Sequence, residues 1–225
     1  MARPVVTVDP GETFRVEWRE IERLYGSGRS AEMRPVLEGW LIRLDRMGEG
    51  KHPLVASTRK LIDEMGNPDR LRLRLRDVKG KLVQAIGEWK ARRDEEDERG
   101  RLVEDYRDRR LGYDYISRNP QDEEDYRKIE VKGKGHGGGN EARPTRKQWE
   151  EWRRDRHHYW FYPVADCLSN PRVRPIPPDR LEWRSVPFEW LLPRPKRPRA
   201  RMLARPVKCH RQRRRAFGRS GGRIG

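Results

Sequence analysis

Tyr126-Arg127-Lys128-Ile129-Glu130-Val131-Lys132 reads as a β-strand with apolar and charged side chains in alternation. Ile129 and Val131 fall on one face, and Glu130 and Lys132 on the other, because successive strand side chains point to opposite sides of a sheet. Upstream, Gly112–Ser117 alternates and carries aromatic and branched residues, a second strand. The acid-rich Asn119–Asp125 is the turn between the two. Leu102-Val103 and Tyr106 suggest a short strand before the polar turn Arg107–Arg110. Downstream, Gly133–Gly139 reads as a mobile glycine-rich loop. Thr145 is then placed to cap a helix through Gln148, Trp149 and Trp152, and Tyr159–Val164 is an aromatic fourth strand. Before them, Leu82, Val83, Ile86 and Trp89 form one stripe of a helix over Val78–Arg99, which Gly100 stops. The order is αβββαβ, an α/β class in which helices pack on one sheet.

The rest of the chain divides around this core. Residues 1–76 read as a helical N-terminal region, in which Val16, Ile21, Leu24, Val36, Leu37, Trp40, Leu41 and Leu44 recur at helical spacing. Leu71, Leu73 and Leu75 alternate with arginines, which suits a short strand or a helix start equally. Residues 77–170 form the α/β domain. Residues 171–193 are proline-rich but keep Leu181, Trp183, Phe188 and Trp190, so they are expected to pack along its surface. Residues 194–225 contain no acidic residue and read as a disordered basic tail.

Composition narrows the class. The 225 residues carry a formal net charge of +17 and a sequence pI of about 10.4. Such a surplus attracts polyanions, nucleic acid foremost. The excess of Arg over Lys also fits coding by a genome rich in guanine and cytosine. Cys167 and Cys209 make no CxxC pair, so no zinc knuckle is indicated and a reducing, cytoplasmic setting is expected. No stretch approaches the roughly 20 apolar residues of a membrane span, and no P-loop or Ser/His/Asp arrangement stands out. His157-His158 read as DNA-facing or merely exposed rather than as metal ligands, and Trp40, Trp89 and Trp160 as core.

The chemistry concentrates in Gly112-Tyr113-Asp114 and Ile129-Glu130-Val131-Lys132-Gly133. Phosphodiester cleavage uses a divalent metal held by carboxylates, and Mg2+ keeps several waters, so two protein carboxylates suffice. Glu130 and Lys132 share a strand face, Asp114 would complete the site, and a lysine there can orient water or offset negative charge. By itself, Glu-x-Lys more often marks the solvated face of an amphipathic strand.

The wider pattern resembles a family. Gly100, Val103-Glu104-Asp105, Gly112-Tyr113-Asp114, Ser117, Ile129-Glu130-Val131-Lys132-Gly133, Thr145, Gln148-Trp149 and Tyr159-Trp160-Phe161-Tyr162-Pro163-Val164 follow the order of the domain at the C-terminus of the plant NO VEIN protein. That domain looks like a branch of the PD-(D/E)XK, or restriction-endonuclease-like, superfamily. The resemblance covers about residues 78–168. It implies the restriction-endonuclease-like αβββαβ core, with Asp114 and Glu130 as ligands of Mg2+ or Mn2+ and Lys132 as the catalytic lysine. It also implies an acidic residue from the preceding helix. Glu96 matches best, with Glu95 and Glu88 as competitors, and a solvated helix end is the other reading of Glu96. Gln148 would face the site or nucleic acid, or cap the helix surface. Lys134, Arg197, Arg199, Arg213, Arg214 and Arg215 are candidate nucleic-acid contacts. The stretch Glu141-Ala142-Arg143-Pro144 departs from the family, which has a more apolar strand there.

The expected function is Mg2+-dependent cleavage of nucleic acid, DNA before RNA, by an endonuclease. The alternative is an inactive nucleic-acid-binding or assembly protein on the same scaffold, from a phage or mobile element. A homodimer or a helicase or ATPase partner would fit, and a membrane would not.

Overall fold

Asn67 decides how the chain enters its longest helix. In the computed structural model, which describes residues 10–136 and 144–181, the Asn67 side chain accepts the Arg70 N–H at 3.2 Å. Pro68 occupies the first turn, where no donor is needed. Helix α4 therefore runs over Pro68–Arg93. The alternating leucines belong to it: Leu71 and Leu75 are buried, while Leu73 is 58% exposed. The cap resolves the strand-or-helix ambiguity in favour of helix, and α4 crosses the boundary expected between residues 76 and 77 without a break.

Among the described residues three α-helices precede it: α1 (Pro10–Gly26), α2 (Arg34–Arg46) and α3 (Pro53–Asp63). Phe14, Ile21, Leu37, Trp40, Leu44 and Leu54 are fully buried between them. They join one apolar cluster with Val78, Leu82 and Ile86 of α4 and with Tyr115, Ile129, Val131, Tyr162 and Val164 of the sheet. Trp40 donates its ring N–H to Glu17 at 2.8 Å, so even this polar atom is satisfied inside. After α4 a π-helical turn (Asp94–Glu98) buries Glu95. Its carboxylate accepts from the Ser117 and Tyr162 hydroxyls at 2.5 Å each and from Arg127 at 3.2 Å.

The sheet contains β1 (Leu102–Asp105), β2 (Tyr115–Asn119), β3 (Asp122–Gly133), β4 (Tyr159–Ala165) and β5 (Arg172–Val173), in that spatial order. β1, β2 and β3 are antiparallel. β4 lies parallel to β3, a crossover made by α5 (Arg146–Arg154). This is the expected αβββαβ order with α4 first. β5 is an addition to it. With the Ile176–Phe161 bridge, it shows that the start of the proline-rich segment runs along the sheet edge. β3 begins earlier than its alternation suggests, since the turn is confined to Pro120-Gln121 and Asp122 already pairs with Asn119. Residues 137–139 of the glycine-rich loop and all of the basic tail lie outside the described residues. So do Arg197, Arg199, Arg213, Arg214 and Arg215. Among the described residues no helix is long and apolar enough to cross a membrane.

Glycine sets the depth at which α4 crosses β3. A Cβ on Gly133 would meet the Val83 carbonyl oxygen at 2.3 Å, and one on Gly87 would meet the Gly133 Cα at 2.9 Å. Gly133→Ala is therefore expected to cost about 1–3 kcal/mol through overpacking. Gly80→Ala, on the same helix with open space around it, is expected to be neutral or to gain up to about 1 kcal/mol. Denaturant unfolding of the two variants checks this, and equal effects would disprove the close crossing.

Candidate active site

β2 and β3 part company at Ile129, whose partner Tyr115 is the first residue of β2. Beyond that point the β3 edge needs new hydrogen-bond partners, and side chains supply them. The Asp114 carboxylate accepts the Val131 N–H at 2.8 Å. Gln84 of α4 donates to the Val131 carbonyl at 3.0 Å and accepts the Gly133 N–H at 3.1 Å. The Asp114 backbone is held by Ile129 on one side and Tyr106 on the other, each at 2.8 Å. The strand pattern read from Gly112 thus becomes a regular strand only at Tyr115, since Asp114 spends its carboxylate on the edge.

The charged face of β3 is not solvated. Helix α5 covers it and is tied down at both ends. Lys128 donates to Glu151 at 2.7 Å and to Asp155 at 2.9 Å. Glu130, only 3% exposed, accepts from Lys132 Nζ at 2.5 Å and from the Gln148 side-chain N–H. Gln148 is oriented by a capping box: its side-chain oxygen accepts the Thr145 N–H at 2.7 Å, and the Thr145 hydroxyl accepts the Gln148 N–H. Gln148 therefore caps the helix and bonds Glu130 with the same side chain. The start of α5 fits closely over Gly112, whose φ is +100° and whose added Cβ would lie 2.7 Å from the Lys147 carbonyl oxygen.

The third carboxylate comes from α4, and it is Glu88. Glu96 pairs with Arg92 at 2.8 Å on an exposed flank and takes no part in the bonds around Asp114 and Glu130. Glu95 serves the sheet network described above. Glu88 is buried and lies one turn after Gln84, which donates to it at 2.7 Å. It also accepts from Arg107 at 2.9 Å and bonds the His52 ring at 3.2 Å. His52 Nδ1 accepts the Leu54 N–H at 3.1 Å, so the neutral ring carries its proton on Nε2 and donates to Glu88. The sequence does carry a signal for it: Gln84 and Glu88 share a helix face with the close-packing Gly87 between them.

These groups shift one another. Burial pushes the Asp114 carboxyl well above the usual range, and the negative charges of Glu130 and Glu88 push it further. Burial likewise raises Glu130 to about 7, although Lys132 and Gln148 favour its charged form. Glu88 goes the other way, because His52 and Arg107 outweigh its burial. For Lys132, burial disfavours the ammonium, but Glu130, Asp114 and Glu88 overcome it and hold its pKa above the ordinary value.

Asp114 and Glu88 line a cleft of about 690 Å³, whose lining does not include Glu130 or Lys132. One wall is the Gly48–Pro53 segment between α2 and α3, so the N-terminal helices contribute to it directly. Arg107 crosses the cleft, donating to Glu49 at 2.8 Å, to Glu88 and to Asp105. Among the described residues no group of three or more His, Cys, Asp or Glu could hold a metal ion. The carboxyls of Asp114 and Glu130 are oxygen donors of the kind that Mg2+ and Mn2+ prefer. Asp114 Oδ1 and Glu130 Oε2 accept no hydrogen bond among the described residues. Of the other candidates, Lys134 continues β3 with its backbone bonded to Val164 and Cys167. His157 is exposed, whereas His158 is held by Asp155 at 2.7 Å and stacks on Tyr126 at 4.0 Å.

Fold and site together define a mixed α/β domain with a buried carboxylate pair and a lysine where two strands diverge. Residues 89–176 match the family model of the C-terminal domain of Protein NO VEIN. That match carries Asp114, Glu130, Lys132 and Gln148 but stops one residue short of Glu88. No curated protein and no solved structure matches the chain.

The raised Glu130 pKa has a consequence for stability. A carboxyl that holds its proton more tightly in the folded than in the unfolded chain stabilises fully below about pH 4.5. That contribution is lost as pH rises toward about 7. Without divalent metal, Glu130→Gln should therefore gain stability relative to wild type between pH 5 and 8, by up to about 3 kcal/mol. Melting curves in EDTA across that range check it, and a pH-independent difference would contradict the buried, poorly compensated carboxyl.

Proposed function

We propose that the protein cleaves phosphodiester bonds of nucleic acid in a metal-dependent reaction, as a DNA endonuclease of the PD-(D/E)XK type. The observation that carries this reading is the Asp114–Glu130–Lys132 cluster at the divergence of β2 and β3, with Glu88 behind it. Two buried carboxylates with raised proton affinity gain most from a divalent cation that replaces the missing positive charge. Mg2+ or Mn2+ would be held by Asp114 and Glu130 and would supply water activation and charge on the phosphate oxygens. Lys132 Nζ, which bonds Glu130, would orient the attacking water and offset charge developing on the phosphate. Gln148 keeps Glu130 turned toward Lys132. Hydrolysis forms a bond from water oxygen to phosphorus and breaks one phosphorus–oxygen ester bond, leaving a phosphate and a hydroxyl end. The net charge of +17 supports a polyanionic substrate.

A second reading has its own support. Glu88 spends both oxygens on Gln84, His52 and Arg107, which suits a scaffold that binds nucleic acid without cutting it.

Plasmid, linear duplex and single strands incubated with Mg2+ or Mn2+ distinguish the two. Wild type is expected to cut. Asp114→Ala, Glu130→Ala and Lys132→Ala should each lose about 100-fold or more in rate while binding persists. Tight binding without cutting in any form would leave the binding protein.

A further inference from the structure

The outer face of α5 and the loop before β2 form a surface that the proposed catalytic cluster does not use. Gln148 and Glu151 face inward and are buried. Arg153, on the far side of the helix, lies over the Trp149 ring at 4.8 Å, and Arg156, in the turn after α5, lies over the ring of the half-buried Trp152 at 5.9 Å. Neither guanidinium meets a carboxylate among the described residues, whereas Arg146 and Arg154 are paired with Glu150 and Glu151. Stacking on an indole costs an arginine little of its charge and fixes its plane, which leaves its donors free for a planar or tetrahedral anion.

The surface continues across to the loop. Lys147 Nζ donates to the Arg110 carbonyl at 3.2 Å, binding loop and helix together. Arg109 lies over the Tyr106 ring at 4.7 Å. Arg109 and Arg110 are exposed and, like Lys147, have no carboxylate partner among the described residues. The acids of this surface are Asp108, which is exposed, Glu104, which Tyr106 and Arg118 hold and on which the charge of Arg109 also acts, and Glu150, which Arg146 holds. The strip leads to the candidate site, because Lys147 packs on Gly112, two residues before Asp114, and Gln148 bonds Glu130.

We propose that this strip is the track for the nucleic-acid backbone, with phosphates bound by Lys147, Arg153 and Arg156 and by the Arg109-Arg110 loop. Lys147 and Arg153 lie about 9 Å apart along the helix axis, the span of two to three phosphates of one strand at about 3.4 Å axial rise. The proposal takes its substrate class from the nuclease reading and does not depend on turnover. It assigns backbone binding to the folded domain, where composition alone would assign it to the basic tail.

Anisotropy of a labelled 20-base-pair duplex, titrated with full-length protein in EDTA over a salt series, tests it without cleavage. Arg153→Ala/Arg156→Ala is expected to lower affinity about tenfold or more near 0.1 M salt. It should also flatten the slope of log K against log salt by nearly 2, about 0.9 for each phosphate no longer neutralised. Arg153→Lys/Arg156→Lys should restore most of that slope, and a circular-dichroism melt like that of wild type shows the fold intact. The proposal is overturned if the alanine pair leaves affinity and slope unchanged while Arg213→Ala/Arg214→Ala/Arg215→Ala abolishes binding. It is equally overturned if wild type binds no duplex. A slope change in a protein that cuts nothing under Mg2+ leaves the track standing and overturns only the nuclease reading.

Discussion

The hydrogen bond from the Val131 N–H to the Asp114 carboxylate is where fold and site become one problem. When β2 turns away from β3 it strips the β3 edge of its ladder partners. An unsatisfied buried backbone group costs about 1–3 kcal/mol, so the edge must be closed again. Asp114 and Gln84 close it with side chains. That solution leaves a carboxylate at the sheet end with one oxygen committed and the other uncommitted among the described residues. Gln84 also bonds Glu88, so the helix carboxylate is brought to the same place by the same repair. The close crossing of α4 at Gly87 and Gly133 gives the short reach of Gln84 its target.

The charge balance follows from that geometry. Asp114, Glu130 and Glu88 act on one another, and Lys132 and Arg107 oppose them from the two sides of the sheet end. Arg107 is itself surrounded by Glu49, Glu88 and Asp105, and its pKa is pushed far up despite burial. Glu49 belongs to the turn after α2, and His52 caps α3. The N-terminal helices thus do more than share an apolar core with the sheet. They fix the orientation of Glu88 through His52 and of Arg107 through Glu49.

Much of this is legible in the sequence, for definable reasons. The alternation of Ile129-Glu130-Val131-Lys132 marks both the strand and the face of the candidate residues, because its apolar members are β-branched and favour a strand, as leucines do not. Thr145 and Gln148 announce the start of α5, because a capping box is a local device. Other features depend on partners distant in the chain. That β3's charged face lies under α5 follows from the Lys128 and Glu130 bonds, which no local pattern contains. Glu96 looks suitable by its distance from Gly100, but the π-helical turn after Arg93 interrupts the register of α4, and Arg92 claims Glu96 on the outside. Leu71, Leu73 and Leu75 look strand-like only until the Asn67 cap is taken into account.

The residues most costly to the fold are those the proposed chemistry needs. A buried Glu130 held near its own protonation midpoint gains little stability at neutral pH, and an apolar side chain against α5 would pack there without that cost. Burial also raises the single carboxyl of Asp94 beside Lys90, but Asp155 and Glu95 are served more fully. Asp155, served by Lys128, His158 and Tyr126, is held down to about 2 although burial opposes it, and Glu95 collects two hydroxyls and arginine around itself. Those carboxylates are compensated within the protein. Asp114 and Glu130 keep a raised proton affinity even with Lys132 and Gln148 beside them, and under the proposed function a divalent cation would supply the remaining positive charge. This contrast separates the candidate site from the many ion pairs of a chain in which 40% of residues are charged.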